Sequence, residues 1–138
     1  MSAFHSDSVV DVAVVGAGPV GAMLAIDLAR RGVKTIVLER ATEPRRLPKM
    51  ERCNARTMEM FRRLGLADRL RASSRFTDEP MDVFVMADFK FPPLVHLRYP
   101  SAREAIAHGR DINDGTLPLE PQQLISQYTL EPILREAA

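Results

Sequence analysis

The chain is poor in cysteine and histidine, and each shortage argues against one class of protein. It has a single cysteine, Cys53, so no disulfide framework can form within it. A lone thiol of this kind is expected to be a small buried hydrophobe in a reducing compartment, which points to the cytoplasm. The three histidines are scattered and make no metal-ligand spacing with each other or with Cys53. We therefore expect no disulfide-rich secreted domain and no metal site.

The chain also lacks a dominant charge and a long apolar run. Its net charge of +1 offers no electrostatic attraction for nucleic acid or for an acidic membrane surface. The longest uncharged stretch, residues 12–26, is too short to cross a bilayer and is interrupted by glycines. The first residues do not have the pattern of a signal peptide. With 138 residues, of which 46% are apolar, the sequence predicts a soluble, cytoplasmic domain with a real core.

The first forty residues have the pattern of a strand, a helix and a second strand. Residues 9–15 are almost all apolar and β-branched, as in a parallel strand that is covered on both faces. Residues 19–31 change to a helical period, and Gly32 lies where a helix would end. Residues 35–38 form a second β-branched run. The order predicts a right-handed βαβ unit, and hence an α/β, Rossmann-like fold.

The remaining sequence predicts further helices and one hairpin. Asn54 can cap a helix that runs to Leu64, and a short second helix follows over residues 67–72. The other elements are strands over 81–86 and 94–99 that pair as a hairpin, irregular chain over 100–121, and a final helix that begins around 127–129. The start of this last helix is inferred from Pro132, because proline is tolerated only near a helix start.

A glycine motif lies between the first strand and the first helix. The segment Gly16-Ala17-Gly18-Pro19-Val20-Gly21 is a G-x-G-x-x-G, in which each glycine has a separate task. Gly16 permits the tight turn, Gly18 lets the backbone approach a pyrophosphate, and Gly21 lets the helix pack against the strand. Pro19 fits the first helical turn, where its missing N–H costs little. The free N–H groups and the positive end of the helix dipole would face the phosphates.

An acid lies where a dinucleotide-binding unit needs one. Glu39 closes the second strand eighteen residues after Gly21, at the position that accepts hydrogen bonds from an adenosine ribose. The same carboxylate would repel a 2′-phosphate, which argues against NADP at this site. The motif by itself leaves FAD and NAD open as ligands. A glycine turn without a ligand is the third alternative, and the strand and helix on either side of the motif disfavour it.

Three segments carry a resemblance to a known family. They are DVAVVGAGPVGAMLAIDLARRGVKTIVLER, CNARTMEMFRRLGL and LISQYTLEPIL. Together they resemble the N-terminal portion of the class A FAD-dependent aromatic hydroxylases. This group includes para-hydroxybenzoate hydroxylase, phenol hydroxylase and 3-(3-hydroxyphenyl)propionate hydroxylase. The first segment is typical of Rossmann folds that bind FAD or NAD, and the other two narrow the resemblance to this group. The resemblance favours FAD as the cofactor.

The resemblance also implies roles for individual residues. Gly16, Gly18, Val20 and Gly21 would line the pyrophosphate, and Glu39 would hold the adenosine ribose. Further roles fall on Arg40, along the adenine or ribose, on Gln127, near the ribityl–pyrophosphate region, and on Lys49, near the flavin or its phosphates. The simpler alternatives are a surface charge for Arg40, a helix cap for Gln127 and a solvent-exposed side chain for Lys49. Lys49 departs from the family, which has an arginine there, because lysine offers one point charge in place of a bidentate fork.

The family implies an activity for a longer parent enzyme. NADH or NADPH would reduce FAD, and dioxygen would supply the oxygen atom added to a small phenolic or aromatic substrate. Family chains are several times longer, so we expect this chain to be a fragment or truncated frame that is inactive alone. No residue in it is a convincing catalytic group. A homodimer is the oligomeric state considered for the parent.

The family also suggests a division of the chain into three parts. Residues 1–75 would be the βαβ unit that binds the ADP half of FAD, with its following helix. Residues 76–120 would belong to a substrate domain, and residues 121–138 would return to the FAD domain. Two alternatives remain at this point. One is a free-standing NAD- or ADP-binding module without flavin chemistry, and the other is a nonfunctional remnant.

Overall fold

The computed structural model describes residues 9–43 and 49–138. These residues form two compact units: unit 1 comprises 9–43 and 127–138, and unit 2 comprises 49–126. The elements in chain order are β1 (Val12–Val15), α1 (Pro19–Arg30), β2 (Thr35–Leu38), β3 (Arg52–Cys53), α2 (Ala55–Arg63), α3 (Ala67–Ser73), β4 (Val83–Val85), β5 (Val95–Leu97), α4 (Ala102–Gly109), β6 (Gln123–Leu124) and α5 (Gln127–Ala137).

Unit 1 contains the βαβ unit that the sequence predicts. β1 and β2 pair in parallel, from Val12 opposite Thr35 to Val15 opposite Leu38, and α1 connects them. β2 has the predicted bounds, whereas β1 begins three residues later than the predicted strand. The predicted strand–helix–strand order is therefore confirmed.

The core of unit 1 lies between its two helices and the sheet. α1 buries Ala22, Ala25 and Ile26, whose small or branched side chains allow close packing. α5 contacts α1 and buries Leu130 and Leu134. α5 begins at Gln127, within the predicted start, so its internal proline comes at the sixth helical residue.

Unit 2 begins with a capped helix and contains the predicted hairpin. The Asn54 side chain accepts a hydrogen bond from the Thr57 N–H at 2.8 Å, which confirms it as the N-cap of α2. β4 and β5 pair antiparallel, with Phe84 opposite His96, but both strands are shorter than predicted. Large side chains fill the core of the unit; those that are fully buried are Met58, Phe61, Leu70, Met81, Gln123 and Ile125.

The prediction of irregular chain over residues 100–121 was wrong. α4 occupies Ala102–Gly109 and begins with a capping box. The Ser101 hydroxyl accepts from the Glu104 N–H at 3.2 Å, and the Glu104 carboxylate accepts from the Ser101 N–H at 2.8 Å. This S-x-x-E pattern is a recognised start signal, and the prolines on either side of the segment obscured it.

A pairing between β3 and β6 was not predicted. Arg52 lies opposite Leu124 and Cys53 opposite Gln123 in an antiparallel bridge of two residues on each side. Such a short pairing has no periodic pattern in sequence, so it can be recognised only in three dimensions. The bridge holds the segment before α2 against the segment before α5.

The two units do not coincide with the predicted division of the chain. That prediction grouped residues 1–75, whereas α2 and α3 belong with the hairpin in unit 2. The predicted division referred to function, with a FAD domain and a substrate domain. In that sense it stays a prediction.

Candidate nucleotide-binding site

Gly16 makes the turn that leads from β1 into α1. Its φ is +101°, a backbone conformation that L-residues with a side chain rarely adopt. Its N–H donates to the Leu38 carbonyl at 2.7 Å, so the turn stays attached to the end of β2. In the part of the chain that the structure describes, a Cβ at this residue would meet no atom within 4 Å. The need for glycine here is therefore conformational and not steric.

Gly21 is required for a different reason. A Cβ on it would lie 1.9 Å from the Gly16 carbonyl oxygen and 3.3 Å from Val14 Cγ1. The first of these atoms belongs to the backbone and cannot rotate away. Gly21 thus allows α1 to pack directly on the turn and the strand, as the sequence predicts.

Gly18 is the N-cap of α1, and the space beside it is open. Its backbone is extended, with φ −68° and ψ 179°, and a Cβ built on it meets no atom of the described residues within 4 Å. Pro19 is the first helical residue, and Val20, which is 83% exposed, is the second. Within residues 9–43 and 49–138, no side chain caps the helix, and its first turn has no acid. As at any helix start, the Val20 and Gly21 N–H groups have no intrahelical acceptor, and an anion would be stabilised at this end of the helix.

Glu39 is hydrogen-bonded to the glycine turn. Its Oε2 accepts from the Ala17 N–H at 2.7 Å, and its Oε1 accepts from the Ala41 N–H at 2.8 Å. These two bonds, first that from Ala41 and then that from Ala17, hold the pKa of the exposed carboxyl below its usual value. Glu39 is therefore ionised at neutral pH and lies at the same end of the sheet as Gly16.

The other predicted residues are less closely grouped. Arg40 is exposed and adjoins Glu39 in unit 1. Gln127 is also in unit 1, as the first residue of α5, and its side-chain amide donates to Glu131 Oε1 at 2.5 Å. Lys49 is exposed and is the first residue of unit 2. Unit 1 thus contains every predicted site residue except Lys49.

Sequence reasoning missed Arg135, which lies at the glycine turn. Its Nε donates to the Ala17 carbonyl at 3.3 Å. Its charge also contributes to the low pKa of Glu39, after the hydrogen bonds from the Ala41 and Ala17 N–H groups. The available signal was the spacing of Gln127, Glu131 and Arg135, which puts one polar residue on every turn of the same face of α5. When a helix packs in a core and also has a row of polar side chains, those side chains are expected to have hydrogen-bond partners inside the protein.

Unit 2 contains a large open cavity of about 1700 Å³. Residues of α2 and α3 line one part of it, and the hairpin, α4 and the segment before β6 line the rest. Its polar side chains include Asp82 and His96, whose Oδ2 and Nε2 atoms lie 2.6 Å apart, and the His96 ring stacks on Phe84. The cavity is big enough for a polycyclic molecule.

Two other kinds of site receive no support in the described ranges. Residues 9–43 and 49–138 contain no group of three or more histidine, cysteine, aspartate or glutamate side chains that could hold a metal ion. Across the same part of the chain, every helix is too short or too polar to span a membrane.

Cys53 is buried, and burial raises the pKa of its thiol to about 11.

Comparison with known proteins gives a consistent result. A family model described as "FAD binding domain" matches residues 9–138. The FAD-dependent monooxygenase apdD of Emericella nidulans is 36% identical over 91% of this chain and 20% of its own length. Aklavinone 12-hydroxylase DnrF of Streptomyces peucetius subsp. caesius is 35% identical over 91% of this chain and 25% of its own.

Solved structures agree with the sequence relatives. Aklavinone-11 hydroxylase, in a ternary complex with FAD and aklavinone, superposes with a TM-score of 0.75 at 32% identity, over 96% of this chain and 24% of that one. The rebeccamycin biosynthetic enzyme RebC with reduced flavin superposes with a TM-score of 0.77 at 30% identity, over 93% and 23%. This chain therefore spans about a fifth to a quarter of the length of these relatives.

Proposed function

This chain belongs to the family of FAD binding domains, and from that premise we propose that its unit 1 binds the ADP half of FAD. The observation that carries the proposal is the geometry at Gly18. There an uncapped helix start faces open space, with no acid in its first turn to compete for its N–H groups. A diphosphate has the charge and the acceptor atoms that such a helix start lacks.

The residues of the site would then contact different parts of the ligand. Gly16, Gly18, Pro19, Val20 and Gly21 would lie along the pyrophosphate, and the ionised Glu39 would accept hydrogen bonds from the ribose hydroxyls. Glu39 already has two N–H donors, and a carboxylate has lone pairs for further bonds. Arg40 would lie beside the adenosine, while Gln127 and Lys49 would reach the part of FAD nearer the flavin.

We further propose that the parent protein is a monooxygenase acting on an aromatic ring. Bound FAD would supply the redox chemistry, with NADH or NADPH as the reductant and dioxygen as the oxygen source. The names of the relatives, which include hydroxylases of aklavinone, support a phenolic or polycyclic substrate. The cavity of unit 2 supports the assignment of residues 76–120 to a substrate domain. A cytoplasmic location fits the buried, unpaired Cys53.

A binding experiment on the 138-residue chain tests the proposal. ADP, FAD, NAD and 2′-phospho-ADP are titrated separately by calorimetry. We expect ADP and FAD to bind, FAD to bind more tightly than NAD, and the 2′-phosphate to weaken binding by repulsion from Glu39. NADH oxidation is followed in parallel with FAD present, and we expect none above the rate of free FAD.

Two results would contradict the proposal. If neither ADP nor FAD binds to a chain whose circular dichroism shows the expected helices, the assignment of the glycine turn is wrong. If NAD binds more tightly than FAD, the chain is better described as a module for NAD without flavin chemistry.

A further inference from the structure

We propose that Arg135 is a positioning residue for the dinucleotide, because it holds the peptide of Ala17 in the orientation that presents the turn to the phosphates. This inference rests on the function proposed above, since it concerns the same site. Arg135 lies on α5, 118 positions along the chain from the residue that it contacts. Nothing in the glycine motif itself points to it.

Ala17 is hydrogen-bonded on both sides. Its N–H donates to Glu39 Oε2 at 2.7 Å, and its carbonyl accepts from Arg135 Nε at 3.3 Å. The residues before and after it are glycines, which have the most backbone freedom to lose. Two side chains from different elements therefore restrain the most flexible part of the turn. Such restraint lowers the entropy that a ligand must remove when it binds.

The guanidinium of Arg135 also forms an ion pair with a buried acid. The Glu131 carboxylate, with its side chain 6% exposed, lies 3.7 Å from Arg135 Nη2 and accepts from the Gln127 amide at 2.5 Å. These three residues follow one another at intervals of four and so share a face of α5. A buried carboxylate needs such partners, because an unpaired buried charge is strongly disfavoured. The stripe thus connects the start of α5 to the glycine turn.

A simple surface ion pair would not have these features. The side chain of Arg135 is 25% exposed, whereas that of Arg31, which pairs with Asp27 at the far end of α1, is 65% exposed. Among the described residues, the Arg31 side chain bonds to Asp27, four residues earlier in the same helix region. Arg135 instead bonds to the backbone of the turn and adds a positive charge where Glu39 and a diphosphate would both be negative. That charge should favour the phosphates in addition to its effect on geometry.

The test compares Arg135→Met with Arg135→Lys and with the matched control Arg31→Met. Methionine keeps much of the apolar length of the side chain but removes the donor and the charge. Lysine restores the charge without the planar group that bonds through Nε. Each variant is titrated with ADP and with adenosine, which lacks the phosphates, by NMR. The amide signals of Ala17 and Gly18 are followed in the absence of ligand as well.

We expect Arg135→Met to weaken ADP binding about tenfold or more, the size usual for one charge-assisted hydrogen bond. Adenosine binding should change less than about twofold, Arg135→Lys should recover part of the loss, and Arg31→Met should behave like the unaltered chain. The free Arg135→Met variant should also show shifted signals at Ala17 and Gly18.

Three results would overturn the inference. ADP binding by Arg135→Met at close to the unaltered affinity would show that the contact with Ala17 has no consequence. Equal losses for ADP and adenosine would reduce Arg135 to a structural role. If the unaltered chain binds no ADP, the proposed function fails and takes this inference with it. The first two results would leave the proposed function standing.

Discussion

The Glu39 carboxylate accepts a hydrogen bond from the Ala17 N–H at 2.7 Å, which links the end of β2 to the turn between β1 and α1. The residue that would read the ribose is therefore already attached to the loop that would hold the pyrophosphate. Both belong to unit 1. A substitution at Glu39 should therefore affect the glycine turn, and a substitution in the turn should affect Glu39. This coupling underlies the predictions on nucleotide binding below.

Gly21→Ala should destabilise the chain and weaken nucleotide binding together. The new Cβ would lie 1.9 Å from the Gly16 carbonyl oxygen, so the turn must move. Overpacking of this kind costs about 1–3 kcal/mol, which is measured as a lower midpoint in urea unfolding. Gly109→Ala is the control, because its Cβ would meet only Leu117 Cδ1, at 3.7 Å. Equal midpoints for the Gly21 variant and the unaltered chain would contradict this description of the packing.

Glu39→Gln should weaken ADP binding at pH 7 and reduce the preference for ADP over 2′-phospho-ADP. The amide presents an NH₂ group where the carboxylate oxygens now accept from two backbone N–H groups. Calorimetric titration of both nucleotides measures the change. A variant that keeps the full preference would show that Glu39 does not face the ribose.

The acid dependence of stability should also report on Glu39. Its pKa is lowered in the folded chain from an ordinary value of 4.5. A depressed pKa stabilises the fold above pH 4.5, and that contribution is lost as the pH falls through the lowered value. The difference in stability between the unaltered chain and Glu39→Gln should therefore shrink only below pH 4.5. A difference that disappears between pH 7 and 5 would argue against the two backbone bonds.

Cys53 should resist alkylation in the folded chain. Its side chain is 2% exposed, and burial raises the pKa of its thiol to about 11, so almost no thiolate is present at pH 7. We expect iodoacetamide labelling, followed by mass spectrometry, to be slow until the chain is unfolded in urea. Rapid labelling at pH 7 without denaturant would show that the β3–β6 bridge opens readily.

Ser101→Ala should destabilise the chain by about 1 kcal/mol, the usual cost of losing a helix N-cap. The Ser101 hydroxyl is buried and accepts from the Glu104 N–H at the start of α4. Urea unfolding followed by circular dichroism measures the loss. Ser73→Ala is the control, because in the described part of the chain that exposed hydroxyl donates to the Arg69 carbonyl of its own helix and caps no helix start. Identical losses for the two variants would leave the capping box without an effect.

The sequence predicts those parts of the molecule that depend on local pattern. The βαβ unit follows from two β-branched runs around an amphipathic segment, and the cap at Asn54 follows from its side-chain chemistry. The resemblance to FAD-dependent aromatic hydroxylases is confirmed by the family model and by relatives that cover 91% of the chain. The roles of Gly16, Gly18 and Gly21 can also be predicted from sequence, because each role requires a glycine at one fixed position of the motif.

The features that sequence reasoning missed depend on contacts between distant residues. Arg135 meets Ala17 across 118 positions, and the β3–β6 bridge joins residues about seventy apart. The bridge leaves no periodic signal, whereas the four-residue spacing up to Arg135 marks a polar face of α5 without identifying its partner. α4 is different, since its capping box was present in the sequence at Ser101 and Glu104. The prolines near it favour irregular chain and so obscured this capping-box signal.

Gly18→Val tests most directly the claim that the glycine turn binds the pyrophosphate. A side chain at this residue should block the ligand while leaving the fold in place. A Cβ at Gly18 meets no atom of residues 9–43 or 49–138 within 4 Å, and the backbone there is extended, which valine tolerates. We therefore expect ADP and FAD binding to be lost while the urea midpoint falls only slightly, because valine is a poorer N-cap than glycine. Binding of FAD by Gly18→Val at the unaltered affinity would contradict the placement of the pyrophosphate at this turn.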